Sequence, residues 1–249
     1  MTVVYADISM RIAVVSDIHS NLPALEAVVA SLGDVDRLWI LGDIVGYGAE
    51  PDGVVERLRD NDAVAVRGNH DHVATGAEGA DWFNVTARSA IEWTADTISP
   101  STRGWLSDLP IRREEQGFTL VHGSPRDPLW EYIDDPAVAG AVMPAMTTAW
   151  GLFGHTHRPR AFVEDNAAIG EILVTDGTTL ALGESRVLLN PGSVGQPRDG
   201  DPRAAYLVLD TEQGRVTWHR VAYDVALAAR RIRAAGLPER LAGRLALGV

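Results

Sequence analysis

The side chains of this chain that are best suited to chemistry are histidines and acidic residues in five short segments. Six of the seven histidines lie in or beside these segments, whereas His219 lies apart from them. Each segment follows a predicted strand, and the five are Ser16-Asp17-Ile18-His19, Leu41-Gly42-Asp43, Arg67-Gly68-Asn69-His70-Asp71, His122-Gly123 and Gly154-His155-Thr156-His157. Because parallel α/β sheets bind ligands beyond the carboxyl ends of their strands, we expect the segments to meet at one site.

Carboxylate and imidazole groups in this combination are typical ligands of a borderline divalent metal such as Mn, Fe, Zn, Co or Ni, rather than Ca. The candidate ligands outnumber those that one tetrahedral or open catalytic site uses. They would suffice for two ions about 3.5–4 Å apart that share a carboxylate, an arrangement that supports in-line displacement at phosphorus. The candidates are Asp17, His19, Asp43, Asn69, His122, His155 and His157.

The composition excludes several other chemistries. The 249 residues include no cysteine, which rules out disulfides, thiolate nucleophiles and cysteine-held metal clusters. All 22 basic residues are arginine, so Schiff-base lysines and a P-loop lysine are excluded as well. The apolar and charged contents are those of a globular chain rather than a disordered one.

The charge of the chain limits its partners. A net charge of −12 makes binding to duplex nucleic acid unexpected, because arginine and lysine contacts with phosphate supply most of that affinity. A small anionic phosphoester stays compatible if a metal supplies local positive charge. Apolar runs of roughly 18 residues and a secretory signal are both missing, so we expect a cytoplasmic protein without a membrane span.

Alternating strand and helix patterns precede the first three segments. The predicted order is strand Arg11–Ser16, a helix from Asn21 to about Leu32, strand Arg37–Leu41, helix Asp52–Asn61 and strand Ala63–Val66. Asn21 is a suitable N-cap residue for the first helix, and the Pro23 that follows is suited to its first turn. Such units predict parallel strands joined by right-handed crossovers.

Further along, the pattern predicts a helix over Asp81–Ile98 and a shorter one near Thr102–Leu109, followed mainly by strands. The apolar face of the longer helix is assigned to Trp82, Val85, Ile91 and Trp93. The C-terminal segment 224–249 is expected to be helical, with a break at Gly236-Leu237-Pro238. Its arginines are compatible with three roles, namely a solvated helix face, a lid over the site or a dimer contact. Without a linker, residues 1–249 are expected to form a single domain, with 1–9 as a loose N-terminal extension.

The five segments match, in order, the pattern D-x-H, G-D, G-N-H-[DE], H-G and G-H-x-H. From Arg11 to about His157 the sequence resembles the calcineurin-like metallophosphoesterases, and Asn190-Pro191-Gly192-Ser193 resembles their small prokaryotic, phosphodiesterase-type branch. The resemblance implies an α/β fold, a four-layer α/β/β/α sandwich of two mixed β-sheets flanked by helices. It also implies two divalent metal ions, one held by Asp17, His19, Asp43 and His157, the other by Asp43, Asn69, His122 and His155, with Asp43 bridging them.

The implied activity is hydrolysis of phosphodiesters, with phosphomonoesters left open, by in-line attack of a hydroxide that bridges the metals. His70 has no ligand role in the pattern, and histidine transfers protons readily near neutral pH. We therefore assign His70 as the general acid for the leaving oxygen. Asp71 is assigned to capping rather than to orienting His70, and His72 is interpreted as a bystander.

Other functions of this fold remain open. Ser/Thr protein phosphatases of the family carry an Asp-Arg pair where this chain has Gly46 and Tyr47. The missing arginine disfavours phosphoproteins and favours diesters, which carry less charge. A non-catalytic protein-binding scaffold would tolerate the loss of His70 or of several ligands, but this chain retains them all. A single-metal hydrolase of another family would hold about half the metal.

Contacts to the substrate are less well defined by the sequence. Arg126 and Arg198 lie in loops near the segments and are candidates for binding a substrate phosphate in bidentate fashion. Tyr47, Trp82 and Trp130 are expected to pack in the interior rather than to stack on a substrate ring. Self-association of the chain stays open.

Overall fold

Residues 9–59, 63–166 and 168–249 are described by the computed structural model, which contains two six-stranded sheets. The extension predicted at residues 1–9 lies, except for Ser9, outside the described residues. The strands are β1 (Arg11–Val15), β2 (Arg37–Leu41), β3 (Val64–Val66), β4 (Arg112–Glu115), β5 (Phe118–Val121), β6 (Trp150–Leu152), β7 (Arg160–Asp165), β8 (Ala168–Leu173), β9 (Thr179–Ala181), β10 (Val187–Asn190), β11 (Ala204–Asp210) and β12 (Arg215–Val221). The helices are α1 (Leu22–Ser31), α2 (Pro51–Arg59), α3 (Asn69–Ala74), α4 (Val85–Thr97), α5 (Pro100–Asp108), α6 (Pro136–Val142), α7 (Val225–Ala234) and α8 (Glu239–Leu245).

The first sheet has the order β3-β2-β1-β11-β12-β9 and contains the parallel unit that the sequence predicts. β1, β2 and β3 run parallel, whereas β1 pairs with β11 in antiparallel orientation. In β1 the alternating residues Ile12 and Val14 face one side and Ala13 and Val15 the other, and all four are fully buried. A strand with apolar residues on both faces needs cover on both sides of its sheet.

The second sheet has the order β4-β5-β6-β10-β7-β8, with β5, β6 and β10 parallel and the remaining neighbours antiparallel. Its parallel strands matter for function, because β5 and β6 end at the same edge of the sheet. The segments that follow these two strands are the ones that carry His122, His155 and His157.

Apolar side chains fill the space between the two sheets. Trp39 of the first sheet packs against Phe118 of the second, with ring centroids 5.8 Å apart, and Phe118 packs against Trp150 at 5.2 Å. The outer face of the first sheet packs with side chains of α1, α2 and α5, and that of the second packs with α6. The order helix, sheet, sheet, helix confirms the predicted four-layer sandwich of two mixed β-sheets.

The single helix predicted over Asp81–Ile98 is wrong at its start. Residues 80–82 form a short 3-10 turn, and α4 begins only at Val85. Asn84 has an extended backbone, and its side chain accepts a hydrogen bond from the main-chain N–H of Ala87 at 3.0 Å, which is the geometry of an N-cap. Trp82 and Val85 therefore do not belong to an apolar face, and they are 77% and 86% exposed.

Three short elements were not predicted, namely α3, α6 and β9. Each has three to seven residues, which is too few for a hydrophobic period to emerge. The two helices expected in the C-terminal segment are present as α7 and α8, on either side of Gly236, whose φ is +72°. Across the described ranges, every helix falls short of the length and apolar character that crossing a bilayer requires.

Candidate metal centre

The five predicted segments follow β1, β2, β3, β5 and β6, and main-chain hydrogen bonds join them. The N–H of Asp17 donates to the carbonyl of Gly42 at 3.1 Å, and the N–H of Gly154 donates to that of His122 at 2.9 Å. A left-handed backbone, with φ between 50° and 64°, occurs at Asp17, His19, Asp43, His155 and His157. Residues other than glycine rarely adopt this conformation, and such strain concentrates at functional sites.

One glycine of the segments allows two loops to touch. A Cβ atom on Gly68 would lie 2.2 Å from both the main-chain nitrogen and Oδ1 of Asp43. Only glycine therefore permits the loop after β3 to pack against Asp43 at this distance. The N–H of His70, two residues further on, donates to Oδ1 of Asp43 at 2.9 Å and orients that carboxylate.

The first group of candidate ligands contains Asp17, His19, Asp43 and His157, which are all buried. Oδ1 of Asp17 lies 3.1 Å from Nε2 of His157 and 3.8 Å from Nε2 of His19. Nε2 of His19 lies 3.6 Å from Oδ2 of Asp43. One ligand atom from each residue lies within 4.8 Å of all the others, which is close enough for a single ion to reach the four of them.

The second group contains Asp43, His122 and His155, again with ligand atoms within 4.8 Å of one another. Nε2 of His122 lies 3.3 Å from Oδ2 of Asp43, 3.1 Å from Nδ1 of His155 and 3.0 Å from Oδ1 of Asn69. The structure thus brings all the predicted ligands together, in two groups that share Asp43.

Hydrogen bonds on the far side of the imidazole rings suit these groups to cations. Nδ1 of His19 lies 3.2 Å from the carbonyl oxygen of Val45, and Nδ1 of His157 lies 2.7 Å from that of Gln196. A carbonyl can only accept, so each Nδ1 carries the hydrogen and each Nε2 presents a lone pair to the site. These two Nε2 atoms are 3.1 Å apart, and Oδ1 of Asp17 beside them has no hydrogen-bond partner. The two Nε2 lone pairs and the unpaired Oδ1 of Asp17 together form a set of donor atoms that suits a divalent cation.

Burial and mutual charge set the protonation of the residues in the two groups. Burial lowers the pKa of His19 and of His157 well below the ordinary value, which keeps both rings neutral and able to bind metal. Burial also raises the pKa of Asp17 to about 7. For Asp43 burial acts in the same direction, but His122 and His70 outweigh it and hold the pKa well below its usual range.

His122 is the exception among the candidate histidine ligands. Burial would lower its pKa, but Asp43 outweighs burial and raises the value to about 9. In the metal-free chain a proton on His122 therefore balances the Asp43 carboxylate. A cation held by the second group would compete with that proton for His122.

His70 lies beside the first group without joining it. Its ring contacts those of His19, Tyr47 and Phe83, with centroid distances of 4.8, 4.4 and 4.6 Å. Nδ1 of His70 is buried without a hydrogen-bond partner and lies against Gly46, where a Cβ would come within 2.4 Å of it. Burial lowers the pKa of His70 to about 4, with Asp43 opposing the shift.

The Asp71 carboxylate connects two of the loops and is not the hydrogen-bond partner of Nδ1 of His70. Its Oδ1 accepts a hydrogen bond from the N–H of Val45 at 2.9 Å, and its Oδ2 accepts one from the N–H of Gly68 at 3.0 Å. The carboxylate is fully buried, and burial raises its pKa to about 7. Asp71 therefore caps α3 and fastens the loop after β2 to the loop after β3.

Replacing Asp71 by Ala should destabilise the protein by about 2–4 kcal/mol, because two buried N–H groups lose their acceptor. Asp71→Asn retains one acceptor oxygen and should lose less. Urea unfolding of the three proteins measures both differences. Equal stability of Asp71→Ala and the parent would show that the two hydrogen bonds do not hold the loops together.

A cavity of about 610 Å³ opens beside the two groups. Its floor includes Asp43, Asn69, His70, His155 and His157. The rest of its wall is formed by aromatic and basic side chains, chiefly Tyr47, Trp82, Phe83, Trp130, Tyr132, Arg198, Arg240 and Arg244. A volume of this size lies in the range of pockets that hold small-molecule ligands.

The residues that line the cavity differ from two predictions about contacts to the substrate, those for Arg126 and Trp82. Arg126 does not line it, because its guanidinium pairs with Glu131 instead. Trp82 is not an interior residue, since it is exposed at the cavity wall, where its ring lies 5.9 Å from that of Trp130. Arg198 does line the cavity, with its guanidinium 5.8 Å from the ring centre of Tyr47.

Three further residues of the wall are Tyr132, which no sequence pattern indicated, and Arg240 and Arg244, which belong to the C-terminal segment whose arginines were compatible with a lid. Tyr132 stacks on His155, with ring centroids 3.8 Å apart, and lies in a loop without a regular pattern. Arg240 and Arg244 come from α8. Their spacing of four residues places them on one helix face.

Comparisons with known proteins show the family to which this chain is similar. A family model described as the calcineurin-like phosphoesterase superfamily domain matches residues 10–214. The chain is 38% identical to protein MJ0912 of Methanocaldococcus jannaschii over 97% of this chain and 99% of that protein. It is 30% identical to phosphodiesterase YfcE of Escherichia coli over 82% of this chain and 89% of that protein.

A solved structure shows the same fold along nearly the whole chain. The crystal structure of a metallophosphoesterase from Sphaerobacter thermophilus superimposes with a TM-score of 0.90 at 45% identity, covering 97% of this chain and 100% of that one. The four-layer fold, the two groups of buried candidate ligands and these matches lead to one conclusion: the chain belongs to the calcineurin-like phosphoesterase superfamily.

Proposed function

We propose that this protein is a binuclear-metal-dependent phosphodiesterase that also accepts phosphomonoesters. The observation that carries the proposal is the position of Asp43, which belongs to both buried groups of candidate ligands and borders the cavity. A carboxylate shared between two cations is the arrangement that supports in-line displacement at phosphorus.

The donor sets indicate which residues would hold the ions. Asp17, His19, Asp43 and His157 would hold one, and Asp43, Asn69, His122 and His155 would hold the other. Imidazole and carboxylate donors accommodate Mn, Fe, Zn, Ni or Co. Two such ions, when bound, lower the pKa of coordinated water towards neutrality and stabilise negative charge on the phosphoryl oxygens.

His70 is the residue that we assign to the leaving group. Hydrolysis forms a bond from phosphorus to the oxygen of water and breaks the bond from phosphorus to the leaving oxygen, which must take up a proton. Nδ1 of His70 lies against Gly46, so Nε2 is the nitrogen that donates this proton and then regains one from solvent. Asp43 opposes the effect of burial on the pKa of His70, and the negative charge of a bound phosphoester would act in the same direction, whereas the two cations would act against it.

The surroundings of His70 support a diester rather than a phosphoprotein as substrate. An aspartate in place of Gly46 would bring its Cβ within 2.4 Å of Nδ1, and the φ of Gly46 is +93°. The chain therefore has no room for the aspartate that supports the catalytic histidine in the Ser/Thr protein phosphatases of the family. Tyr47 occupies the position of their phosphate-binding arginine.

The test combines metal content with turnover of two chromogenic substrates. Purified protein is supplied with Mn, Ni or Zn, its metal is measured, and the hydrolysis of bis-p-nitrophenyl phosphate is compared with that of p-nitrophenyl phosphate. We expect about two ions per chain and faster cleavage of the diester. Two bound ions without turnover of either ester would favour a protein-binding scaffold, and one ion per chain would favour a single-metal hydrolase.

His70→Ala should retain metal but lose about 100-fold or more in kcat on alkyl phosphodiesters, because an alkoxide departs poorly without a proton. The loss should be much smaller with a p-nitrophenyl ester, since p-nitrophenolate departs unprotonated. The measurement is kcat for both ester types with each protein. His72→Ala is a matched control, because His72 lies on the same helix, is half-exposed and does not line the cavity. Equal losses on both ester types would remove His70 from this role.

A further inference from the structure

Three arginines stand together on one wall of the cavity, beside the metal centre. Arg198 comes from the loop after β10, and Arg240 and Arg244 come from one face of α8. The neighbouring face of α8 is anchored by Leu241 and Leu245, whose side chains are buried. The helix is therefore fixed in a position that directs both its arginines to the cavity.

Charge on this wall is poorly compensated by the protein itself. Burial, together with the neighbouring charges of Arg198 and Arg240, lowers the pKa of Arg244 to about 10. Among the described residues, no acidic side chain forms an ion pair with any of the three arginines. Two acidic residues adjacent in sequence are engaged elsewhere, Asp199 with Arg220 and Glu239 with Arg233.

The hydrogen bonds of these arginines are also few. Nη2 of Arg198 donates to Oε1 of Gln196 at 3.0 Å, but its Nε is buried and has no partner. Nε of Arg244 donates to the main-chain oxygen of Val249. Placing like charges four residues apart on a helix, as at Arg240 and Arg244, costs stability unless an anion offsets it.

A phosphodiester bound at the metals does not account for these three charges. Two dications and the carboxylates of Asp17 and Asp43 carry a net charge of about +2, which already exceeds the single negative charge of a diester. A chain with a net charge of −12 that nevertheless places three arginines on one cavity wall is suited to a ligand with additional negative charge.

The remaining wall offers a surface for a planar ring. Trp82 and Trp130 both line the cavity, and Trp82 is 77% exposed, so a face of the indole is accessible. Aromatic side chains stack on nucleobases with favourable energies of about 1–3 kcal/mol per base. The cavity volume of about 610 Å³ matches a ligand of the size of a mononucleotide.

We infer that the preferred substrates are nucleotide phosphodiesters that carry a second phosphate. The scissile phosphate would lie at the metal centre, the second phosphate at Arg198, Arg240 and Arg244, and the base against Trp82 and Trp130. This inference rests on the proposed function for the scissile step. The contribution of the arginines is binding, through charge-assisted hydrogen bonds to the second phosphate.

The experiment compares two substrates that differ only in that phosphate. Thymidine 5′-(p-nitrophenyl phosphate) and its 3′-phosphorylated form share the scissile diester and the leaving group. We expect kcat/KM to be about tenfold or more higher for the 3′-phosphorylated form, chiefly through KM. The ratio between the two substrates should approach one in the Arg240→Gln/Arg244→Gln double variant. If the double variant does not fold, the Arg240→Gln single variant takes its place, because it changes an exposed side chain. In that variant the ratio between the two substrates should fall part of the way towards one.

Arg230→Gln provides the matched control, because Arg230 is an exposed arginine of α7 that does not line the cavity. It should leave the ratio unchanged. A second experiment measures binding without catalysis, by calorimetry on chelator-treated protein. Thymidine 3′,5′-bisphosphate should bind more tightly than thymidine 5′-phosphate. The double variant should bind the two nucleotides with equal affinity.

The outcomes separate this inference from the proposed function. If neither ester is hydrolysed by metal-loaded protein, the proposed phosphodiesterase fails, and the calorimetric comparison still decides whether the arginines bind a second phosphate. If both esters are hydrolysed at equal kcat/KM, or if the double variant keeps the parent ratio, the second-phosphate site is overturned.

Discussion

Asp43→Asn is expected to lower kcat/KM for bis-p-nitrophenyl phosphate by about 1,000-fold or more, which corresponds to at least about 4 kcal/mol of transition-state stabilisation. The physical reason is that Asp43 belongs to both groups of candidate ligands. Its Oδ2 lies 3.6 Å from Nε2 of His19 and 3.3 Å from Nε2 of His122, so one neutral amide would weaken both ion sites together. Metal analysis of the purified variant should find well under two ions per chain.

Two single-site variants serve as controls for this prediction. Asp17→Asn removes a charge from the first group only, and His122→Ala removes a ligand from the second group only. Each should reduce the metal content towards one ion, whereas Asp43→Asn should reduce it further. If Asp43→Asn retains two ions and near-parental turnover, the shared-carboxylate arrangement is wrong.

Removing the metal should lower the midpoint of thermal unfolding by about 10 °C or more. Each ion held at about 100 times its dissociation constant stabilises the folded chain by about 2.7 kcal/mol, and two ions contribute about twice that. For a chain of this size, each kcal/mol corresponds to a shift of about 2–4 °C. The metal-free site is unfavourable in itself, because Asp17 Oδ1 is buried without a partner and two imidazole nitrogens face each other at 3.1 Å.

The measurement is a thermal scan with chelator, followed by a second scan after Mn is restored. Asp43→Asn is the control, since its midpoint should respond much less to either treatment. A parent protein whose midpoint is the same with and without chelator would show that the buried cluster holds no ion under those conditions.

The parts of this molecule that could be predicted from its sequence are those in which chemistry and local structure coincide. The predicted ligands follow parallel strands, which end at a common edge within one sheet, so the grouping of the segments after β1, β2 and β3 followed from chain order. The segments after β5 and β6 belong to the second sheet, and they reach the first three only because the two sheets pack face to face. β1, β2 and β3 were predicted as neighbours in a parallel sheet, because strand–helix–strand units have a preferred crossover. Local capping residues such as Asn21 marked where a helix begins.

Predictions that depended on a helical period over a longer stretch were less accurate. Asn84 caps α4 in the middle of a pattern that looked continuous, because its side chain accepts a hydrogen bond from the main-chain N–H of Ala87, which fixes the start of the helix at Val85. Trp82 therefore lies before the helix and is exposed on the cavity wall, although its apolar side chain had indicated an interior position.

The candidate metal ligands could thus be recognised from the sequence alone, because each lies in a segment that follows a strand of apolar residues. The composition of the cavity wall could not, because Arg240 and Arg244 reach it only through the packing of Leu241 and Leu245 with Ala87, Ala90 and Tyr47, which lie more than a hundred residues earlier. Contacts across that distance depend on how layers pack, and packing is a property of the assembled fold rather than of any one segment.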